Sequence, residues 1–495
     1  MKEVYFLKLE KIKKELIKWG NEWRADHAQF NKKTGAMKII PVPARTIANK
    51  LKEVLTMVVI GENARELEKA PLSFYDPDEG IYISSSRIIK DLTLAIEDTL
   101  SKRWRNEILD WLQIESPAVK LTDDPDLIPV GNGIINLKDK RLIPFNPKYV
   151  FTTKIATNYN PDATEPNFNG WKFSEWMKQL SNGDPQKHLL LWQMIASIVR
   201  GKAGLMFMLV DNGQGRTGKG TLQELLGSLV GKDNFRSLKI DQFEKDFLLA
   251  QGYGARLLIG DDNPPERYIN DSSNLKSIIT NDIVLVNPKG LPPFTARFNS
   301  VVIQSMNGLP KFKDKTGGLY RRFRMLYFPY KFPADKASKR IKDEYIKNTR
   351  LLEWILKKAL TIDTSEIINP QESVSLVEET KNANDPVAYF ITEYLPELKS
   401  QRLPVRFLFA YFLATMEAEN NPQKISQRKF TREVRPKMEA LGWEYKQRGV
   451  APSVYFSSVD YDLLVKYDIG IGPKPQQFYN EPKERERQQP LFEKM

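Results

Sequence analysis

The segment GQGRTGKGT, Gly213 to Thr221, is the part of this 495-residue chain most clearly built for chemistry. It follows an apolar run, LMFMLV (Leu205 to Val210), and opens a helix-like stretch, TLQELLGSLV (Thr221 to Val230). A phosphate-binding loop requires that context. Gly213, Gly215 and Gly218 can take backbone angles that turn successive N–H groups toward phosphate. Gln214, Arg216, Thr217 and Gly220 complete the loop. Lys219 supplies a point charge for β- and γ-phosphates, and the helix N-terminus adds its positive end. The usual pattern has Ser or Thr directly after the lysine. Here Gly220 stands there and Thr221 follows, so the hydroxyl is one place removed from its usual magnesium position. The ligands implied are ATP and Mg2+.

Downstream, RLLIGDDNPP (Arg256 to Pro265) reads as an apolar strand ending in two carboxylates. One acid can serve the magnesium shell and one can orient an attacking water. Adjacent residues of a strand point to opposite faces, so only one of Asp261 and Asp262 can face the phosphates directly. A third apolar run, VVIQSMN, ends at Asn307, whose amide can orient water at the γ-phosphate. The segment GGLYRRFRMLYF (Gly317 to Phe328) carries Arg321, Arg322 and Arg324 ahead of a last strand. An arginine there is where a ring ATPase offers a finger to its neighbour's ATP.

These pieces need a scaffold in which strands alternate with helices. Further runs supply it: SSNLKSII (Ser272 to Ile279) as helix and MLYFPY (Met325 to Tyr330) as strand. The alternation predicts a three-layer α/β domain. Upstream, GIYISSS reads as β, and GIINLKDKRLIPF (Gly133 to Phe145) as two short strands turning at Lys138–Lys140. Trp171 to Val199 is helical with a break at Asn182–Pro185. The implied domains are 1–125 (α+β), 126–200 (entry segment and helical collar), 201–335 (ATPase core), 336–384 (helical linker), 385–470 (DNA-binding domain) and 471–495 (flexible tail). Within the linker, Thr364 to Ser373 is rich in breakers.

Composition narrows the classes. The formal charge is +13, and hydrophobic residues make up 41%, enough for ordinary cores. Anionic partners are expected, nucleic acid first. Cysteine is absent and histidine is limited to His27 and His188. That removes disulfide scaffolds, thiolate zinc sites and multi-imidazole centres. A reducing, cytoplasmic setting fits. No apolar run approaches a membrane span, and the Lys- and Glu-bearing N-terminus reads as an amphipathic helix, not a signal peptide.

From Ser400 to Gly449 there are ten Lys or Arg against five Glu. ISQRKFTREVRPKMEALGW (Ile425 to Trp443) predicts a helix capped by Ser426. Phe430, Val434, Met438 and Leu441 form its inward stripe, and Arg428, Lys429, Arg432 and Arg435 lie largely off it. Pro436 argues for a kink. Tyr445 to Val459 follows as strand, turn and strand. Helix plus basic hairpin predicts a winged helix binding duplex DNA.

The order of phosphate loop, acidic strand, lysine-bearing hairpin, strand ending in Asn and paired Arg resembles the superfamily 3 helicases. Within them it is most similar to the poxvirus and satellite-phage primase-helicase family, and in type to the replication-initiator helicases of bacterial pathogenicity islands. The likeness covers Asp126 to Phe328, and more loosely the C-terminal domain. It implies an AAA+-type core with Lys219 as the loop lysine and Asn307 as the polar sensor. Arg322 matches the finger better than Arg321, by its distance to the final strand. Asp262 stands where the family has a catalytic Glu, and Asp261 is a second metal candidate. NLKSIITNDIVLVNPKG (Asn274 to Gly290) looks like the family's helix-plus-hairpin element, which makes Lys289 the residue gripping the DNA backbone in the ring channel. Thr217 replaces the family's usual Asn.

The resemblance further implies a homo-hexameric ring, with fingers acting in trans. Relatives often carry a primase; the first 125 residues lack the clustered carboxylates with a His for that, so a separately encoded primase is an expected partner. The resulting expectation is an ATP-dependent DNA helicase and replication initiator of a mobile genetic element. It would move on single-stranded and forked DNA and bind its duplex origin through the C-terminal domain. The alternatives are a ring ATPase that loads or remodels other proteins, and a small-molecule phosphotransferase.

Overall fold

The computed structural model describes residues 9–30, 36–61, 70–211, 213, 215–264, 268–289, 292–314, 317–333, 336–419, 422–450, 462–463, 466–467 and 488–495. The chain divides into two compact units. The first combines residues 1–310 with 316–374, and the second 311–315 with 375–495.

The first unit begins with an α+β region. Helices Leu9–Asp26, Ala44–Val54, Ser86–Ile96 and Lys102–Glu115 accompany a four-stranded sheet. Its strand order is Ile81–Ile83, Leu72–Asp76, Met57–Ile60, Ala118–Val119. Ser85 and Ser101 cap the last two helices, accepting from the N–H groups of Ile88 and Trp104. Leu16, Leu51, Phe74, Ile89 and Leu112 fill the core beneath them.

Next comes an antiparallel sheet of Leu127–Val130, Gly133–Asn136 and Arg141–Ile143. Its predicted turn has Lys140 in the left-handed region, at φ 55°. The helical stretch breaks where expected, into Phe173–Leu180 and Pro185–Arg200. Asp184 caps the second helix by accepting from the N–H groups of Gln186 and Lys187.

The alternating region folds as a parallel five-stranded sheet. The spatial order is Phe235–Ser237, Leu257–Asn263, Val301–Met306, Met206–Val210, Phe323–Tyr327. Met206–Val210 and Val301–Met306 are buried along their whole length, as strands covered on both faces must be. Helix Lys219–Val230 packs Leu222, Leu225, Leu226 and Leu229 into this core. The order matters because it sets Val301–Met306 between the strand that leads into the glycine loop and the strand that carries the acids.

The expectation of a helical linker needs correction here. Residues 336–384 do not behave as a linker along their whole length. Helix Thr349–Leu360 buries Leu351, Ile355, Leu356 and Ala359 in the main core. The breaker-rich stretch Thr364 to Ser373 is pinned to that core. Gln193 Nε2 donates to the carbonyls of Asp363 and Glu366, and its Oε1 accepts from Ile368 N–H. The Ser373 hydroxyl accepts from Met325 N–H at 2.9 Å. Breakers mark irregular backbone, and irregular backbone is compatible with burial when side chains satisfy it.

The second unit runs helix Pro386–Glu393, strand Arg402–Pro404, helices Val405–Ala418 and Gln427–Glu439, then strands Trp443–Val450 and Gln488–Lys494. Ser426 caps the third helix as predicted, and Phe430, Val434 and Met438 are fully buried. Leu441 leaves the stripe: the helix ends at Glu439 and Leu441 is exposed. Pro436 sits within the helix. The strand at Trp443–Val450 pairs antiparallel with Gln488–Lys494. That segment lies in the stretch read as a flexible tail, 471–495. Instead it is the central strand of a three-stranded sheet and buries Leu491 and Phe492. Its apolar pair was hidden in a polar neighbourhood. The rest of the expected hairpin, residues 451–459, lies outside the described residues.

Candidate functional site

The glycine loop joins strand Met206–Val210 to helix Lys219–Val230. Gly213, Gly215 and Gly218 have φ of 79°, 66° and 89°, and Arg216 also lies left-handed at 56°. A Cβ at Gly218 would stand 2.6 Å from Leu180 Cδ2, so a side chain there would have to displace Leu180 as well as adopt a strained φ. Gln214 lies outside the described residues. Gly220 is exposed and Thr221 half-buried at the start of the helix.

Asp211 organises this loop, and sequence reasoning missed it. It is the first residue after the strand and is 3% exposed. Its carboxylate accepts from Gly213 N–H at 3.0 Å and from the Thr217 hydroxyl at 2.8 Å. It also pairs with Lys219 Nζ at 3.0 Å. Burial alone would raise its pKa. The Gly213 N–H, Lys219 and Thr217 outweigh burial and hold it below the ordinary carboxylate value. The available signal was a carboxylate ending an apolar strand two residues before the first loop glycine.

Lys219 is 7% exposed. Besides Asp211, its Nζ donates to the Met306 carbonyl at 2.8 Å and to Asn307 Oδ1 at 2.9 Å. Asn307 Nδ2 in turn donates to Asp262 Oδ1 at 3.1 Å. Lysine, amide and carboxylate therefore form one line, from the start of helix Lys219–Val230 across the ends of strands Val301–Met306 and Leu257–Asn263. Asn307 bridges because its strand is the middle one.

The acids do not sit on regular strand backbone. A bulge interrupts the pairing of Leu257–Asn263 with Val301–Met306 between Gly260 and Asn263. Asp262 is left-handed at φ 49°. Asn263 anchors the bulge, donating to Gln304 Oε1 at 3.0 Å and the Ser305 carbonyl at 2.9 Å, and accepting from Ile240 N–H at 3.0 Å. The Gln304 amide lies where a side chain at Gly260 would go, so glycine is needed before the acids. Simple alternation of faces therefore does not apply to Asp261 and Asp262. Both are exposed, and Asp262 is the one bonded to Asn307.

The remaining candidates lie apart from this line. Arg322 donates to the Gly318 carbonyl, while Arg321 is exposed. Arg324 is turned to the carbonyls of Ile368 and Phe323. Lys289 is exposed in the connection between strands Val284–Val286 and Phe294–Ala296, which pair antiparallel. Gly290 lies outside the described residues. In the second unit, Arg428, Lys429 and Arg432 are all exposed on helix Gln427–Glu439. Lys429 faces Glu433 at 3.9 Å.

Among the described residues, no group of three or more His, Cys, Asp or Glu forms a metal cluster. Thr221, Asp261 and Asp262 offer hard oxygen donors only. That suits magnesium, which takes one or two carboxylates and keeps several waters.

The described chain is thus a mixed α/β protein with a parallel sheet whose strand ends carry a lysine–amide–carboxylate line. Three stretches match known families. Residues 212–322 match a family of unknown function, DUF5906. Residues 5–177 match a D5 N-terminal-like model, and residues 382–464 a poxvirus D5 protein-like model. At both ends, then, the chain is similar to poxvirus D5-type proteins. Among solved structures, an A-form apo structure of the NrS-1 C-terminal region aligns at 12% identity and TM-score 0.47, covering 82% of this chain and 96% of that one. A second A-form apo structure of that region aligns at 12% and 0.48, covering 84% and 100%. No helix among the described residues is long and apolar enough to cross a membrane.

Proposed function

We propose that this chain is an ATP-dependent DNA helicase and replication initiator of a mobile genetic element. Its first unit would hold an AAA+-type phosphate-loop core that works as a homo-hexameric ring. The D5 matches support the coarser reading, a replication-associated enzyme with DNA as partner. The observation that carries the finer one is the line Lys219–Asn307–Asp262. It joins a cation for phosphate at a helix start to an amide and a carboxylate at adjacent strand ends, the set that nucleoside triphosphate hydrolysis needs.

In this reading the Gly213–Thr221 loop binds the phosphates through its N–H groups. Lys219 moves from Asp211 and Asn307 to the β- and γ-phosphates. That release leaves Asn307 to orient the attacking water against Asp262, whose carboxylate takes the proton. Magnesium would be held by Thr221 with Asp261 or Asp262, and would neutralise phosphate charge. Arg322 or Arg321 serves the neighbouring subunit's ATP. Lys289 grips the backbone of single-stranded DNA without reading bases.

The second unit supports a winged-helix reading by its order: helix, strand, two helices, then two strands with the last between the others. Arg428, Lys429 and Arg432 would meet duplex origin DNA there.

The test is strand displacement on a forked duplex with ATP and magnesium, comparing wild type with Lys219→Ala. Unwinding by wild type alone is expected. ATPase activity indifferent to DNA, without unwinding, would favour a ring that remodels other proteins.

A further inference from the structure

We propose that Tyr330 and Phe332 form the nucleobase subsite for the nucleotide held by the glycine loop, and that they read the base by stacking. This rests on the phosphate-loop reading above.

The sheet order gives the direction. Strand Met206–Val210 has Val301–Met306 on one side and Phe323–Tyr327 on the other. Asn307 and Asp262, the groups suited to the terminal phosphate, lie on the Val301–Met306 side. A triphosphate lying along the loop with its reacting end there must carry its nucleoside the other way. Tyr330 and Phe332 leave strand Phe323–Tyr327 on that other side.

They are also fastened to the loop. Phe332 N–H donates to the Arg216 carbonyl at 2.9 Å. The Phe332 ring lies 3.1 Å from where a Gly218 Cβ would stand, and Trp176 backs it at a centroid distance of 6.4 Å. Tyr330 meets the half-buried Phe332 edge-on, at 4.7 Å and 71°. Tyr330 is 40% exposed. Scattered exposed aromatics need no explanation. This one differs because its neighbour is locked to the backbone of the loop that would carry the phosphates. Ring faces suit any base, since every base has a π-face. Base discrimination is therefore weak.

The experiment measures binding of ATP and of inorganic tripolyphosphate to the full chain, for wild type, Tyr330→Ala and Tyr330→Phe. Tyr330→Ala should weaken ATP about tenfold, equivalent to about 1.4 kcal/mol, and leave tripolyphosphate unchanged. Tyr330→Phe keeps the ring and should bind ATP like wild type. Retained tripolyphosphate binding shows that the alanine variant is folded. Equal weakening of both ligands, or no weakening of ATP, overturns the subsite while leaving the loop assignment standing. Failure of wild type to bind either ligand overturns the loop assignment, and the subsite with it. A preference for one base beyond about a hundredfold would demand a hydrogen-bonding reader and overturn stacking as the mode.

Discussion

Lys219 donates to the Asn307 side-chain carbonyl at 2.9 Å, and the same Asn307 gives its amide hydrogens to Asp262 at 3.1 Å. One side chain thus touches both the loop lysine and the acid. Its position follows from topology: the strand ending at Asn307 lies between the strand that leads through the glycine loop to the Lys219 helix and the strand that carries Asp262.

This predicts that Asn307→Ala separates binding from turnover. In the proposed mechanism the amide bears on water at the reacting phosphate and not on the nucleotide's resting contacts. ATP affinity should stay near wild type while kcat falls by about 10²-fold, the typical cost of one oriented donor. Steady-state kinetics with a direct binding titration checks it. Loss of affinity with normal kcat would move Asn307 out of the reaction.

A second prediction concerns Asp211, buried with Lys219 and Thr217. Asp211→Ala leaves the Lys219 ammonium with one anionic partner fewer, and should destabilise the first unit by about 3 kcal/mol. Asp211→Asn can still accept from Gly213 N–H through its Oδ1, while its Nδ2 meets the Thr217 hydroxyl as a donor, and it should cost less. The pH dependence has a definite sign. The folded pKa is depressed, so the stabilisation is full above the ordinary carboxylate value and is lost as pH falls through the lower folded value. The gap in thermal midpoint between wild type and Asp211→Asn should hold from neutral pH down and close only below about pH 4. A gap that closes near neutrality would show that another group controls it.

Asp211 also marks where sequence stops being informative. The loop glycines announced themselves, because left-handed backbone leaves few other residues possible. The helix at Gln427 was legible through a local cap at Ser426 and a short apolar period. Asp211 was not, since a carboxylate after an apolar run looks like an ordinary strand end until the loop folds back onto it. The bulge at Gly260–Asn263 depends on Gln304, which lies on another strand. The pairing of Gln488–Lys494 with Trp443–Val450 is likewise long-range. Gln193 pins Asp363, Glu366 and Ile368 from far along the chain. Periodicity and capping are local signals, and none of these three arrangements leaves one.

Lys289 gives a third prediction. It is exposed in the connection of a two-stranded hairpin and takes no part in the Lys219–Asn307–Asp262 line. Lys289→Ala should leave basal ATP hydrolysis intact and abolish unwinding. The salt dependence of single-stranded DNA binding should also become shallower, by about 0.7 in slope for each phosphate that the lysine no longer neutralises. Wild-type strand displacement by the variant would remove Lys289 from the translocation machinery.

The last prediction separates the two arginines. The resemblance favours Arg322 as the finger, yet in the single chain its guanidinium donates to the Gly318 carbonyl. Arg321 is exposed. A finger must reach a neighbour's phosphates, so Arg322 has to exchange Gly318 for them on assembly, whereas the exposed Arg321 is already turned to solvent. Loss of the finger should cut assembled turnover by about 10³-fold or more. It should leave ATP binding to the dilute chain unchanged, because the finger reaches ATP only between subunits. Arg322→Ala is expected to behave so, and mixing it with Lys219→Ala should restore part of the activity, since each variant supplies what its neighbour lacks. If Arg321→Ala shows that loss and that rescue, while Arg322→Ala only lowers the thermal midpoint, the finger is Arg321 and Arg322 serves to hold the Gly317–Tyr320 turn.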